Sequence, residues 1–281
     1  GGAATTSEGS VYTLAIVATD PGNDLISGYR IDWGDSSPAT LLTAAELALT
    51  NGNVTHTYLD GTADRTITVQ ATDEDGTWSN TRTISVADVA PVVELTGGNT
   101  VDEGGSYTLT LASITDPGSD TALSYTINWG DGNAEVVASL GSYSHTYADG
   151  TTSRTISVLV TDEEGVHANA GTKTITVNNV APTASVSGPA TVDEGSVYTL
   201  TVGAILDPGT DTSSGYTIAW GDGSTDTFTP AQWAAAAGSF THTYADGASA
   251  PTITVSTTDE DGTTVLGTQS VTVNDVAPTA S

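Results

Sequence analysis

Carboxylate side chains are the groups of this sequence with the clearest capacity for chemistry. They recur in the motifs Asp-Pro-Gly-x-Asp, Trp-Gly-Asp and Thr-Asp-Glu, each of which occurs three times in the same order. The 281 residues include 34 Asp and Glu but only five Lys and Arg, so the formal net charge is −29. Hard oxygen ligands at high density, without cysteine, are the ligands that Ca²⁺ prefers. The acids are therefore candidate calcium ligands, provided that the fold gathers them.

Charge and composition exclude several function classes. An acidic surface repels phosphate backbones and anionic lipids, so we expect no nucleic-acid binding and no membrane-surface binding. The sequence has no apolar run of about 18 residues, which excludes membrane insertion by a helix. It also has no Cys, so disulfides and thiol chemistry are excluded. Because it lacks Met and a signal segment, we expect it to be a piece of a longer protein.

The acidic motifs belong to a module that is repeated three times. Each copy also contains His-Thr-Tyr and closes with Val-Ala-Pro, and the closing prolines Pro91, Pro182 and Pro278 lie 91 and 96 residues apart. A fixed order of motifs at a fixed period predicts tandem domains. We place the repeats at 1–90, 91–181 and 182–277, followed by the start of a linker at 278–281.

Within each repeat, the hydrophobic pattern has a period of two residues. Ile67 and Val69, for example, alternate with Thr66 and Thr68, which is typical of a half-buried strand. Short strands separated by Asp-Gly and Pro-Gly turns predict a two-sheet sandwich. Helix signals occur only between Trp-Gly-Asp and His-Thr-Tyr, where Thr229 caps Pro230–Ala237 and an equivalent helix is expected near 43–49.

The middle repeat resembles the polycystic kidney disease (PKD) domain family. The resemblance rests on Tyr125–Gly132 with its Trp-Gly-Asp-Gly turn, on His145-Thr146-Tyr147 and on Ile156–Asp162. It implies an all-β fold of three tandem immunoglobulin-like sandwiches, arranged as an extended rod, with a role as an extracellular spacer or interaction module. The tandem repeats are also similar to the cadherin-like domains of large bacterial surface adhesins.

Successive antiparallel strands run in opposite directions, so the number of strands that precede a loop decides at which end of the sandwich it lies. This strand parity places the acids at the two ends of each sandwich. The end that meets the next repeat is called the far pole and the opposite end the near pole, so that stacking brings a far pole onto a near pole. At the first junction this gathers Glu8, Asp35, Asp60 and Asp88 with Asp116, Asp120, Asp162 and Glu163. At the second it gathers Glu103, Asp131, Asp149, Asn178 and Asn179 with Asp207, Asp211, Asp259 and Glu260.

Two interpretations of these acids remain open. Crowded carboxylates repel one another and few basic residues can neutralise them, which favours Ca²⁺ at each junction, held by carboxylates, linker carbonyls and amide oxygens. However, Asp-Pro-Gly and Asp-Glu-Asp-Gly also form good turns without any ion, and an acidic surface simply keeps a chain soluble.

Several other residues could carry chemistry but more readily serve the fold. The repeated histidines lack partners for catalysis, and the repeated Trp33, Trp129 and Trp220 are expected in the core. Trp78 and Trp233 stand outside the repeat pattern and are candidates for sugar stacking or for local packing. No Gly-x-Ser-x-Gly elbow, phosphate loop or evident cleft is present, so we expect no enzyme activity.

The first repeat lacks a segment matching Val92–Leu95, whereas the last residues, Pro278–Ser281, match the start of that segment. Either the sequence is cut there for convenience, or the bare edge pairs with a strand of another chain in head-to-tail self-association.

These observations predict a non-enzymatic spacer at the cell surface or outside the cell, which supports adhesion or presents a distal domain. Its partners would be the neighbouring repeats, and its rod would be on the order of 100 Å long. The alternative is a module that binds polysaccharide or protein through a sheet face or an exposed Trp.

Overall fold

The computed structural model describes residues 1–19, 22 and 25–279. The Asp-Pro-Gly-Asn-Asp motif of the first repeat therefore lies outside the described residues, apart from Gly22. The chain forms two compact units. Unit 1 comprises Gly1–Thr96, Thr110–Ser142 and Thr155–Lys173, and unit 2 comprises Gly97–Leu109, Tyr143–Arg154 and Thr174–Ser281. Their boundary passes through the middle repeat, so the domain limits drawn from the sequence remain predictions.

The described elements are almost all strands. Those before the first linker are β1 (Thr5–Ser7), β2 (Val11–Ala15), β3 (Gly28–Asp32), β4 (Thr40–Thr43), α1 (Ala44–Leu49), β5 (Asn53–Thr57), β6 (Ala63–Thr72) and β7 (Thr77–Ala87). Those up to the second linker are β8 (Val92–Gly97), β9 (Thr100–Asp102), β10 (Ser106–Thr115), β11 (Ser124–Asn128), β12 (Ala134–Val137), β13 (Gly141–Thr146), β14 (Thr152–Thr161) and β15 (Val166–Asn178). The remainder are β16 (Thr183–Ser187), β17 (Thr191–Asp193), β18 (Val197–Leu206), β19 (Gly215–Ala219), β20 (Thr225–Phe228), α2 (Pro230–Ala236), β21 (Ser239–Thr243), β22 (Thr252–Thr258), β23 (Thr263–Ser270) and β24 (Thr272–Asn274).

Each unit is built from sheets that are mostly antiparallel, with the short strand β1 pairing parallel to β7. Unit 1 contains the sheet β1-β7-β6-β3-β4, the pair β2-β5, and β11 paired with both β12 and β14. Unit 2 contains the sheets β16-β18-β21 and β20-β19-β22-β23, with β17 parallel to β24. The prediction of an almost all-β chain made of tandem β-sandwiches is confirmed. Among the described residues, neither helix has the length or apolar character to cross a bilayer.

The two helices form where the sequence provides caps. Thr43 and Thr229 each accept a hydrogen bond from the backbone three residues on, and Glu46 and Gln232 complete the two capping boxes. Ala237, in the left-handed conformation, ends α2. The predicted helices are therefore confirmed.

The Trp of each Trp-Gly-Asp motif and the Tyr of each His-Thr-Tyr motif lie in the core of their sandwich. Trp33 and Trp220 are buried, and the rings of His56 and His242 stack on them at 4.6 and 4.7 Å. The buried hydroxyl of Tyr244 donates to the carbonyl oxygen of Trp220 at 3.1 Å, and that of Tyr58 bonds Trp33 in the same way. The His and Tyr of each His-Thr-Tyr motif thus hold the Trp-Gly-Asp turn against the strand that ends at His-Thr-Tyr.

We expect Tyr244→Phe to lower the free energy of unfolding by about 1 kcal/mol, because it removes one buried hydrogen bond. Urea denaturation measures the change. Tyr216→Phe is the control, since its ring stacks on Trp233 and packing is kept. An equal loss in both variants would contradict a specific role for the Tyr244 hydroxyl.

Candidate metal centres at the repeat junctions

The first junction lies within unit 1 and is organised by Glu8. The amide of Glu8 bonds the carbonyl of Ala87, and Gly9 turns the chain with a φ of +64°. This turn directs the carboxylate at the linker, where Oε1 accepts the amide of Val89 at 2.8 Å. Glu8 is 0% exposed, so a charged side chain is held inside the junction.

The second oxygen of Glu8 has no hydrogen-bond partner among the described residues, although it is buried. Burial raises the pKa of Glu8, and the charge of Asp88 raises it further, against the Val89 hydrogen bond. Oxygens of Glu8, Asp88 and Asp120 lie within 4.8 Å of one another. A buried, unpartnered oxygen beside two other carboxylates is the arrangement that a cation would satisfy.

Asp120 also belongs to a second group of acids at this junction. It lies with Asp60 and Glu164, and their ligand atoms are again within 4.8 Å of one another. Burial, the charge of Glu8 at the facing far pole and the charges of near-pole acids raise the pKa of Asp120 to about 6. The Asp120 Oδ2 atom is buried and lacks a hydrogen-bond partner among the described residues. Asp120 therefore connects two clusters of oxygen ligands.

The two repeats approach closely around these acids. The amide of Ser119 donates to the carbonyl of Leu59 at 2.7 Å. A Cβ atom at Gly118 would lie only 2.8 Å from the carboxyl carbon of Glu8, and one at Gly9 would meet the carbonyl of Pro117. Glycine at both positions therefore allows the backbones to meet at the carboxylate.

His167 connects the two repeats on the other side of the first junction. Its Nε2 lies 2.7 Å from Asp162 Oδ2, and its Nδ1 lies 3.7 Å from Asp88 Oδ2. Burial alone would lower the pKa of His167, but the hydrogen bond to Asp162 and the surrounding charges raise it. A protonated His167 would thus place positive charge between two acids of different repeats.

The second junction, within unit 2, repeats this design with a larger acid group. Glu103 is 1% exposed, its Oε1 accepts the amide of Val180 at 2.7 Å, and its Oε2 has no described partner. Ligand atoms of Glu103, Asp149, Asp211 and Asp261 lie within 4.8 Å of one another. Burial and the charge of Glu103 raise the pKa of Asp211 to about 6. Arg154 lies 3.9 Å from Asp149 at the exposed side of this group.

Direct hydrogen bonds also cross the second junction. Asp261 accepts from the hydroxyl of Thr151 at 2.6 Å and from the amide of Asn179 at 2.5 Å. The amide of Thr210 donates to the carbonyl of Ala148 at 2.8 Å. Asn179 is therefore at the junction as predicted, as a donor to Asp261, whereas Asn178 bonds Asp102.

Several predicted ligands lie in turns, where the turn itself uses their oxygens. Asp116 and Asp207 accept the amides of Gly118 and Gly209, and Asp162 and Asp259 each accept two amides of their own loops. The Oε2 atoms of Glu163 and Glu260 accept the amides of Thr121 and Thr212. These acids shape the near poles. The charges of Asp116, Glu163 and Asp162 help to raise the pKa of Asp120, and those of Asp207 and Glu260 help to raise the pKa of Asp211.

Asp35 and Asp131 are not part of the three acid groups described above. Asp35 lies 2.6 Å from His56 Nε2 and accepts from Ser37, and Asp131 accepts from Asn133. Burial would raise the pKa of Asp35, but the hydrogen bonds of Ser37 and His56 lower it overall. Both acids thus stabilise the Trp-Gly-Asp turn.

Sequence reasoning missed two members of the acid groups, Glu164 and Asp261. Both are the third acid of the Asp-Glu-Glu or Asp-Glu-Asp loop, immediately before glycine. The recurrence of an acid at this position in all three repeats was the available signal.

The two additional tryptophans have different surroundings. Trp233 stacks on Tyr216 at 4.4 Å and also contacts Phe228 and Phe240, so it packs against the core. Trp78 is 54% exposed and lines a groove in the first repeat. Of the two, Trp78 alone has the exposure that ligand stacking requires.

A comparison with family models supports the fold of the middle repeat. Residues 88–177, the middle repeat, match the family model of the PKD domain. A search of curated proteins found no match. Similar solved structures include the FN1-FN3 domains of chicken CNTN1 (14% identity, 95% of both chains covered, TM-score 0.28). Another is the fibronectin(III)-like modules of Clostridium thermocellum CbhA (15% identity, 65% of this chain and 95% of that chain covered, TM-score 0.27).

We expect the chain in chelator to melt at a higher temperature at pH 5 than at pH 7. Asp120 and Asp211 have pKa values of about 6 in the fold against an ordinary 3.8. Between these values the folded chain binds more protons than the unfolded chain, so stability rises as the pH falls. Asp222, whose pKa is lowered to about 2, stays ionised in this window.

Differential scanning calorimetry at the two pH values tests this expectation. The double variant Asp120→Asn/Asp211→Asn should melt higher at pH 7 and gain less on acidification, because the titrating groups are gone. A gain as large as that of the unaltered chain would show that other groups carry the effect.

Proposed function

We propose that this chain is a non-catalytic spacer of a secreted or cell-surface protein, in which Ca²⁺ at the two junctions holds adjoining repeats together. The observation that carries the proposal is the pair Glu8 and Glu103. Each is buried, each uses one oxygen to fix the linker, and each leaves the other oxygen beside two or three further carboxylates.

Electrostatics favours a bound cation over an empty cluster. Two unit charges about 5 Å apart repel by roughly 3 kcal/mol at the effective dielectric constant near a protein surface. Each junction concentrates three or more acids, but few cations contact them. Arg65 and Arg154 contact the outer acids Asp60 and Asp149, and His167 lies 3.7 Å from Asp88. A divalent cation would remove this repulsion and would also satisfy the buried oxygens.

The donor set favours calcium among divalent cations. The clustered atoms that could bind a metal are carboxylate oxygens contributed by several loops. Ca²⁺ accepts six to eight oxygens in flexible geometry, whereas Zn²⁺ favours nitrogen and sulfur ligands. Extracellular modules commonly bind Ca²⁺ at about 0.1–1 mM, which suits a protein outside the cell.

The mechanism is mechanical rather than catalytic. Because each cluster combines the linker, the far pole of one repeat and the near pole of the next, a cation there would couple three segments. Removing it would restore repulsion between the facing poles and free the linker to move. The histidines are held in structural contacts, since His56 and His242 stack on core tryptophans and bond Asp35 and Asp222.

We expect Ca²⁺ to raise the melting temperature, with roughly 2.7 kcal/mol of stabilisation at a concentration 100 times the dissociation constant. Glu8→Gln should weaken binding at the first junction at least tenfold, and Glu103→Gln should do so at the second. Isothermal titration calorimetry of both variants and of the double variant measures this. Glu94→Gln is the control, because Glu94 is an exposed strand residue that bonds Ser113.

The mechanical part is tested by small-angle X-ray scattering in Ca²⁺ and in chelator. Chelation should broaden the distribution of interatomic distances for the unaltered chain but change the double variant little. Identical scattering and identical melting of the unaltered chain in both buffers would overturn the proposal.

A further inference from the structure

The two junctions use the same five positions of the repeat but differ at two of them. The residue before Val-Ala-Pro is Asp88 at the first junction and Asn179 at the second. The acid before the glycine of the near-pole loop is Glu164 at the first junction and Asp261 at the second. The first junction therefore has one carboxylate more and one longer side chain. The three shared positions are held by Glu8, Asp60 and Asp120 at the first junction and by Glu103, Asp149 and Asp211 at the second.

The acids of the first junction form two groups that meet at one residue. Ligand atoms of Glu8, Asp88 and Asp120 lie within 4.8 Å of one another. The same holds for Asp60, Asp120 and Glu164. Because a carboxylate has two oxygens with about four lone-pair sites, one aspartate can serve two cations at once. Asp120 is therefore placed to bridge two metal sites.

Each of these two groups contains buried oxygens without a hydrogen-bond partner among the described residues. In the first group these are Glu8 Oε2 and Asp88 Oδ1, and the Glu8 residue is 0% exposed. The other oxygen of Asp88, Oδ2, lies 3.7 Å from His167 Nδ1. In the second group they are Asp120 Oδ2 and Glu164 Oε2. A buried oxygen that lacks a donor costs free energy, so each group separately favours a cation.

The second junction gathers its acids into a single group. Ligand atoms within 4.8 Å of one another come from Glu103, Asp149, Asp211 and Asp261. Both oxygens of Asp261 already accept hydrogen bonds, from the Thr151 hydroxyl and the Asn179 amide. Within this group, the buried oxygens without a described partner are Glu103 Oε2 and the two oxygens of Asp211. One cation with six to eight oxygen ligands would satisfy all three.

Side-chain length and hydrogen-bonding capacity explain the difference. The longer Glu164 groups with the outer acid Asp60 instead of with the buried glutamate. Asp261, one methylene shorter, groups with the buried glutamate of its own junction. At the linker position, the amide of Asn179 donates to Asp261. Because an ionised carboxylate cannot donate, Asp88 in the same position adds a ligand oxygen instead.

We propose that the first junction binds two Ca²⁺ ions bridged by the carboxylate of Asp120, whereas the second junction binds one. The inner ion would lie among Glu8, Asp88 and Asp120. The outer ion would lie among Asp60, Asp120 and Glu164. The flexible coordination of Ca²⁺ by oxygens permits such sharing. The inference rests on the proposed function, because it assigns the number of ions at junctions that are proposed there to bind calcium.

Flow dialysis of the full chain with radioactive Ca²⁺, in salt that screens weak binding, counts the ions. We expect three ions per chain. Asp120→Asn should leave one ion, because it removes a ligand from both sites of the first junction. Glu164→Gln should leave two, because it alters the outer site only. Asp211→Asn should also leave two, because the second junction loses its single ion.

Glu163→Gln is the matched control for Glu164→Gln. It removes the same charge from the same loop, but Glu163 accepts the amide of Thr121 and belongs to neither group. The glutamine keeps an oxygen for that hydrogen bond. This variant should therefore still bind three ions. Circular dichroism of each variant checks that the fold is kept.

A second measurement reports whether two bound ions are neighbours. Terbium and europium ions are hard cations that replace Ca²⁺ at oxygen sites, and europium bound close by quenches terbium luminescence. In Asp211→Asn, europium should shorten the terbium lifetime, because both ions occupy the first junction. In Asp211→Asn/Glu164→Gln, which keeps one site, the lifetime should stay unchanged.

Three results would overturn the bridged pair of ions. They are two ions on the unaltered chain, two ions left in Asp120→Asn, and no change of lifetime in Asp211→Asn. The proposed function would stand after any of them, since it requires only one ion at each junction. A chain that binds no Ca²⁺ would instead overturn both the bridged pair and the proposed function.

Discussion

The contact on which the junctions depend is the bond between a buried glutamate at the far pole and an amide of the following linker. Glu8 holds Val89 in this way, and Glu103 holds Val180. A linker amide has no strand partner, so it needs an acceptor once it is buried. The glutamate supplies one, but it carries a negative charge into the contact between two repeats. The electrostatic interactions of the other junction residues depend on how that charge is accommodated.

The near pole of the following repeat places further acids, instead of a basic residue, beside this glutamate. Asp120 and Asp211 point at the glutamates with oxygens that nothing described satisfies. An isolated folded domain would gain nothing from such repulsion, and a hydrophobic or basic residue there would be more stable. The arrangement would become favourable with a cation present. Under the proposed function, the stability of the junction would then depend on the cation concentration of the surrounding fluid.

Much of the fold could be predicted from the sequence because its signals are local. Alternating Ile67 and Val69 define a strand, and Thr229 followed by Pro230 defines a helix start, whatever their distant neighbours are. The short parallel strands β1, β9 and β17 were missed, since three residues carry no periodicity. Strand parity did assign the acids to poles. It could not show that the Asp35 side chain turns to His56, because side-chain partners depend on packing across the sandwich.

The two junctions also differ in how they hold together without a cation, which sequence repetition conceals. At the first, the described contact on one side is ionic, since His167 lies between Asp162 and Asp88. At the second, the uncharged Thr151 hydroxyl and Asn179 amide donate hydrogen bonds to the Asp261 carboxylate. Loss of the imidazolium proton would weaken the contact of the first junction, whereas amide and hydroxyl donors keep their protons. A cation would therefore contribute most at the first junction in mildly alkaline fluid, and the repeats are not interchangeable despite their common fold.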